Sequence, residues 1–276
     1  MRISLCNEVI DDRPFTEQCV LAASLGYDGL EIAPFTLCQD PRDLTDRDIA
    51  EVSQALSDAG IAATGLHWLL VSPKGLSITS PDAAVRSDTL EVMTANIELC
   101  AALGGDVLVH GSPLQRMLGD GAEAIDGRAR AVDIFAAAAE AAERHGVIYC
   151  LEALSVDETN FINRIDEAMA IVDEIGSPAF KAMLDTGAAA RSEDRTVADS
   201  LRHWMPTGHI RHIQFNDRNR RAAGQGDDDF VPVLRALKET GYEGTVAMEP
   251  FIYEPDRASC AAYTLGYVKG IWEALA

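Results

Sequence analysis

None of the six cysteines, at positions 6, 19, 38, 100, 150 and 260, forms a CxxC pair. Isolated thiols among apolar neighbours point to reduced, buried side chains rather than to disulfides or a zinc cluster. No apolar run reaches the roughly 18 residues that a membrane span needs, so no membrane partner is expected. The N-terminus, Met1-Arg2-Ile3-Ser4-Leu5, passes directly into a strand pattern without the apolar core of a signal peptide. Cytoplasm is the expected location. Positive charge is scarce: 23 Lys and Arg stand against 44 Asp and Glu, a net charge of −21. Such a chain has no basic footprint for a phosphate backbone, which argues against a nucleic-acid partner. Its far field repels anions unless a local arginine or a metal compensates. There is also no P-loop, GxGxxG, GxSxG or HExxH, which removes most nucleotide-dependent redox chemistry and serine hydrolysis.

What is present is alternation. The chain has 276 residues, 47% of them apolar, enough for one large core. Eight short apolar runs read as strands: Ile3–Val9, Gly29–Ala33, Ala62–Leu70, Val107–His110, Ile148–Leu154, Phe180–Asp185, Ile210–Asn216 and Thr245–Pro250. Continuous apolar strands are those buried on both faces, as in a parallel sheet. Helical patterns fill the gaps, near Phe15–Leu25, from Thr45 to Gly60, and over Ala83–Leu103, Asp133–His145, Asp166–Ile175, Thr196–Met205, Val231–Thr240 and Cys260–Leu275. Gly146 and Gly176 read as C-cap glycines. The polar stretches Pro34–Leu44, Ser112–Ile125 and Arg218–Asp229 read as loops, with Asp227-Asp228-Asp229 as a solvated turn ending in a helix N-cap or as part of a lid. Eight strand-helix units without a linker predict an α/β protein, a (β/α)8 TIM barrel in one domain over residues 1–276. An open doubly wound sheet would need a glycine-rich phosphate turn after an early strand, and none is present.

Four strand segments close on a residue able to hold a divalent metal: Glu152, Asp185, His212 and Glu249. A carboxylate at the end of an apolar strand costs several kcal/mol unless it is paired or metal-bound. Three carboxylates and an imidazole favour Mn²⁺ or Mg²⁺ and admit Co²⁺ or Zn²⁺. The competing reading is a set of ion pairs within the barrel. His67 and His110 end strands three and four. Each is a second-metal ligand, a donor to a substrate hydroxyl, or a core histidine. Glu31 stands in a similar position. Glu158 lies six residues after Glu152, and Arg218 six after His212. Both are candidates to contact substrate, the arginine by steadying an anionic oxygen.

These residues resemble the xylose isomerase-like barrel superfamily, in its sugar phosphate isomerase/epimerase branch, and most of all the ketose 3-epimerases of the tagatose/psicose type. The likeness spans the chain. It is strongest in Leu151-Glu152-Ala153-Leu154, Leu184-Asp185-Thr186-Gly187, Arg211-His212-Ile213-Gln214-Phe215-Asn216-Asp217-Arg218 with Gly224-Gln225-Gly226, and Met248-Glu249-Pro250. The resemblance implies a metal held by Glu152, Asp185, His212 and Glu249. It implies that the two glutamates move the proton, and that Glu158 and Arg218 touch the substrate. It implies a homo-oligomer, dimer or tetramer, acting on a small-molecule sugar. Such a site removes a proton next to a carbonyl, forms an enediolate, and returns the proton from the other face or at the neighbouring carbon. One position departs from the family: Ala188 stands where the epimerases carry a histidine. A dehydratase of a keto-inositol or 3-keto sugar, an apurinic-site endonuclease-like phosphodiesterase using His67 and His110, and a non-catalytic sugar-binding barrel are the alternatives.

Overall fold

Each of the eight apolar runs becomes a strand in the computed structural model, which describes residues 1–275. These are β1 (Arg2–Cys6), β2 (Gly29–Ile32), β3 (Ala62–Leu66), β4 (Val107–His110), β5 (Ile148–Glu152), β6 (Phe180–Asp185), β7 (Ile210–Phe215) and β8 (Thr245–Met248). They pair in parallel in chain order, and β1 closes on β8. The fold is a single-domain (β/α)8 TIM barrel. The helices are α1 (Phe15–Leu25), α2 (Asp46–Ala59), α3 (Ala83–Ala102), α4 (Ala122–His145), α5 (Ile165–Ile175), α6 (Thr186–Ser192), α7 (Val197–Trp204), α8 (Phe230–Glu239) and α9 (Arg257–Ala274).

Local chemistry sets the helix ends. Thr45 and Asp48 form a reciprocal capping box on α2, and the Asp229 carboxylate accepts from Val231 N–H at the start of α8. Gly146 and Gly176 end α4 and α5 in the left-handed conformation, at φ 71° and 66°, which only glycine adopts without strain. Two elements differ from the sequence reading. α4 starts at Ala122 rather than at Asp133. The polar, glycine-bearing stretch before Asp133 suggests a loop, yet Gly127 lets the helix approach Leu118, whose side chain a Cβ would meet at 3.0 Å. α6 is a short additional helix after β6. Its N-cap is Asp185, whose carboxylate accepts from Ala188 N–H at 2.6 Å.

Side chains alternate across the strand wall. Outward residues such as Leu108, Tyr149, Leu151, Phe180, Ile213 and Phe215 join the large core beneath the helices. Each fully buried aliphatic or aromatic side chain there stabilises the fold by about 1.5–3 kcal/mol. Inward, Val107, Val109, Cys150 and Met183 make a separate apolar plug on one side of the axis. The other side is polar, with buried Ser4, Glu31, Thr64, His212 and Gln214. The cysteines are all free, and all but Cys38 are buried. Among the described residues no helix is long and apolar enough to cross a membrane.

Candidate active site

The C-terminal ends of β5, β6 and β8 deliver three carboxylates to one face. Glu152 ends β5, Asp185 ends β6, and Glu249 follows β8, its N–H donating to Phe215 C=O at 3.0 Å. All three are buried. Burial pushes the Glu152 carboxyl well above the usual carboxylate range, and the neighbouring Asp185 adds to it against the pull of Arg116. Glu249 is pushed up by burial and then by Glu152 and Glu8. Asp185 rises to about 6 through burial, although Ala188 N–H and Asn216 favour its charged form. Among the described residues neither Glu152 nor Asp185 has a salt-bridge partner, and Glu249 has only His67 at 3.9 Å. Glycine at 111 is what admits Glu152 to this place: a Cβ there would lie 1.9 Å from Glu152 Oε2. Arg116, fully buried, anchors the same loops by donating to the Glu152 carbonyl at 2.6 Å and to the His110 carbonyl.

At the level of these tips β7 presents Gln214 rather than His212. β7 runs three residues past His212 to Phe215, and a register shift in β6 pairs Met183 with His212 and Asp185 with Gln214. His212 therefore lies below the strand tips. Its Nε2 is 2.6 Å from Glu31 Oε2, and it borders the opening at the N-terminal end of the barrel. Gln214 shares the inward face two residues on. Its Nε2 donates to Glu31 Oε1 at 2.7 Å, and its Oε1 is buried without a donor. Glu31 is thus occupied beneath the site, not in contact with the cleft. Burial works to raise its carboxyl, but His212, His67 and Gln214 together hold it below the ordinary value. Three carboxylates with raised proton affinity and one orphaned amide oxygen make a donor set that fits a hard divalent cation.

Above these tips, His67, Trp68, Glu152, Glu158, Glu249 and Phe251 line a narrow cleft. Trp68 Nε1 donates to Glu249 Oε1 at 3.0 Å. Its ring packs edge-on against Phe35 and Phe251 at 6.3 and 6.2 Å. His67 Nε2 lies 2.7 Å from Oε2 of Glu8, which stands on the short turn after β1. Among the described residues, Cys6, Glu8, His67 and Glu249 bring ligand atoms within 4.8 Å of one another. His110 is not in the cleft. With Val109 inward, parity turns His110 outward, against Phe135 at 5.0 Å and the Tyr149 hydroxyl at 2.8 Å. The His67–His110 pair that a two-metal phosphodiesterase reading needs is therefore not brought together. Arg218 also faces away: it is bound to Asp228 at 2.5 Å with its side chain 58% exposed. Glu158 is instead met by Arg220 and Arg191, each at 3.3 Å. Trp68 and Arg220 both hold positive φ, 53° and 68°. Such strain in non-glycine residues gathers at functional sites. A larger groove between α7 and α8, lined by Thr196, Arg218 and Asp229 among others, contains none of the strand-tip carboxylates.

A barrel closed in chain order, with acids at the tips of strands five, six and eight, is matched by a family model described as xylose isomerase-like TIM barrel over residues 19–267. The chain belongs to that family. Its relatives include ketose 3-epimerases. D-psicose 3-epimerase of Agrobacterium fabrum is 28% identical over 244 residues, covering 87% of this chain and 79% of the relative. D-psicose 3-epimerase of Ruminiclostridium cellulolyticum is 30% identical over 234 residues, covering 83% and 76%. A crystal structure of D-psicose 3-epimerase in the presence of D-fructose superposes with a TM-score of 0.84 at 23% identity over 99% of both chains, a likeness of fold.

Within this xylose isomerase-like barrel, sequence reasoning missed Glu8, Trp68, Arg116, Arg191, Gln214 and Arg220. Two of these had a signal. Gln214 lies one strand repeat beyond His212, and six residues beyond Gln214 stands Arg220, just before Gly224-Gln225-Gly226. Ala188 is buried with its N–H on Asp185, so its methyl side chain offers no polar contact.

Proposed function

We propose that this chain is an isomerase or epimerase of an open-chain ketose or a related polyhydroxy carbonyl compound, and that it works with a divalent cation held by Glu152, Asp185, Gln214 and Glu249. The observation that best supports this is that Glu152, Asp185 and Glu249, all buried at the strand tips, raise one another's proton affinity, while Gln214, paired with Asp185 across β6 and β7, keeps a buried Oε1 without a donor. Four oxygen donors suit Mn²⁺ or Mg²⁺, and without an imidazole the set gives Zn²⁺ or Co²⁺ less advantage. A cation held there would supply Lewis acidity to the substrate carbonyl, lowering the pKa of the hydrogen on the adjacent hydroxyl-bearing carbon.

The protein's own groups do the rest. One of Glu152 and Glu249 takes the proton from carbon. The other returns it, to the opposite face for epimerisation or at the neighbouring carbon for isomerisation. Trp68 orients Glu249 through its indole N–H, and Trp68 with Phe251 shields one side of the cleft from water. Glu158 and Arg220 hold the part of the substrate farther from the reacting carbons. The ketose 3-epimerase activity of the relatives supports the same reading.

The test is exchange of deuterium from D₂O into ketoses supplied with Mn²⁺. Wild-type protein incorporates label at a single carbon. Glu152→Gln and Glu249→Gln lose turnover by a factor of roughly 10³ or more and bind Mn²⁺ more weakly. Unchanged exchange in either variant would sink the assignment.

A further inference from the structure

Glu158 faces two cations, one on α6 and one on the loop after β7. Arg191 Nη2 lies 3.3 Å from its Oε2, and Arg220 Nη1 lies 3.3 Å from its Oε1. Glu158 is itself held by the Ser155 hydroxyl at 2.9 Å. At Glu158 itself two guanidiniums meet one carboxylate, in a chain whose net charge is −21. Among the described residues the only other side-chain hydrogen bond of either arginine is Arg191 Nη1 to the Arg218 carbonyl at 3.4 Å, so most of their N–H donors remain free there. Both arginines are positioned by the fold. Arg220 lies 4.4 Å over the Phe251 ring, and its carbonyl accepts from both Phe251 and Ile252 N–H, at 2.9 and 3.0 Å. Arg191 stands on α6 one turn beyond Ala188, on the same helix face. It is close enough to Asp185 to favour that carboxylate's charged form. A neutral hydroxyl is served by Glu158 and one arginine. A carboxylate or phosphate takes two charged donors side by side.

We infer that Arg191 and Arg220 form a subsite for an anionic group, carboxylate or phosphate, at the end of the substrate remote from the reacting carbons. The enzyme then acts on an acidic sugar derivative rather than a neutral ketose. This rests on the function proposed above.

The experiment measures binding to Mn²⁺-loaded protein by calorimetry, with three open-chain polyols that have no carbonyl and cannot react: glucitol, gluconate and glucitol 6-phosphate. At least one of the two anions binds about tenfold or more tighter than glucitol, and which one does separates carboxylate from phosphate. That ratio falls to near unity in Arg191→Met and is partly restored in Arg191→Lys. A general loosening of the loop weakens all three polyols and leaves the ratio in place. Equal affinities for the three polyols would overturn the proposal. So would an anionic advantage that survives in Arg191→Met, because the anion would then sit on the Mn²⁺. Failure of the underlying function looks different: the anionic preference stands, but no carbonyl sugar, neutral or acidic, exchanges deuterium.

Discussion

Replacing Asp185 by asparagine in protein stripped of divalent cations should stabilise the fold, by an amount that depends on pH. Asp185 is buried, and its pKa stands at about 6 against an ordinary 3.8. The folded chain therefore holds this proton more tightly than the unfolded chain. The resulting stability is fully present below about pH 4 and is lost as pH rises to about 6. The interval from 3.8 to about 6 corresponds to roughly 3 kcal/mol. Asparagine does not titrate. It can keep the Ala188 N–H bond, and the Asn216 amide can turn its Oδ1, now without a donor, toward the new NH₂. In chelator, Asp185→Asn should match wild type near pH 4 and exceed it by roughly 3 kcal/mol at pH 7.5, a rise in Tm of roughly 6 °C or more. With Mn²⁺ at about 100 times its Kd the order narrows or reverses, since wild type gains about 2.7 kcal/mol and the variant less. Thermal melts over this pH range, with chelator and with Mn²⁺, read all four conditions. The reasoning fails if the variant is no more stable than wild type at pH 7.5 in chelator, or if the gap does not close toward pH 4.

Gly111→Ala should cost cation binding tenfold or more while leaving the circular dichroism spectrum unchanged. Its Cβ would stand 1.9 Å from Glu152 Oε2 and must displace that carboxylate; Mn²⁺ titration followed by electron paramagnetic resonance gives the result, and unaltered affinity would mean that Glu152 is not a ligand. Gln214→His exchanges an amide oxygen for an imidazole nitrogen, so competition between Zn²⁺ and Mg²⁺ should shift toward zinc. An unchanged ratio would place residue 214 outside the coordination sphere.

The barrel was legible because its strands are unbroken apolar runs and its helices end at glycines such as Gly146 and Gly176. The three carboxylates were legible for an energetic reason: an acid at the end of a buried apolar strand needs a partner or an ion. Gln214 carries no charge, so its burial raises no such flag. The histidine two residues earlier drew attention away from it. Counting six residues from His212 reaches Arg218, on the outside, while the same count from Gln214 reaches Arg220, beside Glu158. His110 was misplaced by parity alone, because Val109 occupies the inward position on β4. α6 escaped notice because seven residues rich in alanine show no apolar period. Glu8, Trp68 and Arg116 lie on loops whose path is set by packing rather than by pattern.

Asp185 holds two posts. It is one of the cation ligands proposed above, and it caps the first turn of α6, the helix on which Arg191 rides. The carboxylate that would hold the ion would thus also set where the arginine stands: if it shifted or picked up a proton, the cap would slacken and the arginine would move with the helix. On that reading, exchanging one metal for another would alter which molecules the barrel holds as well as how fast they turn over.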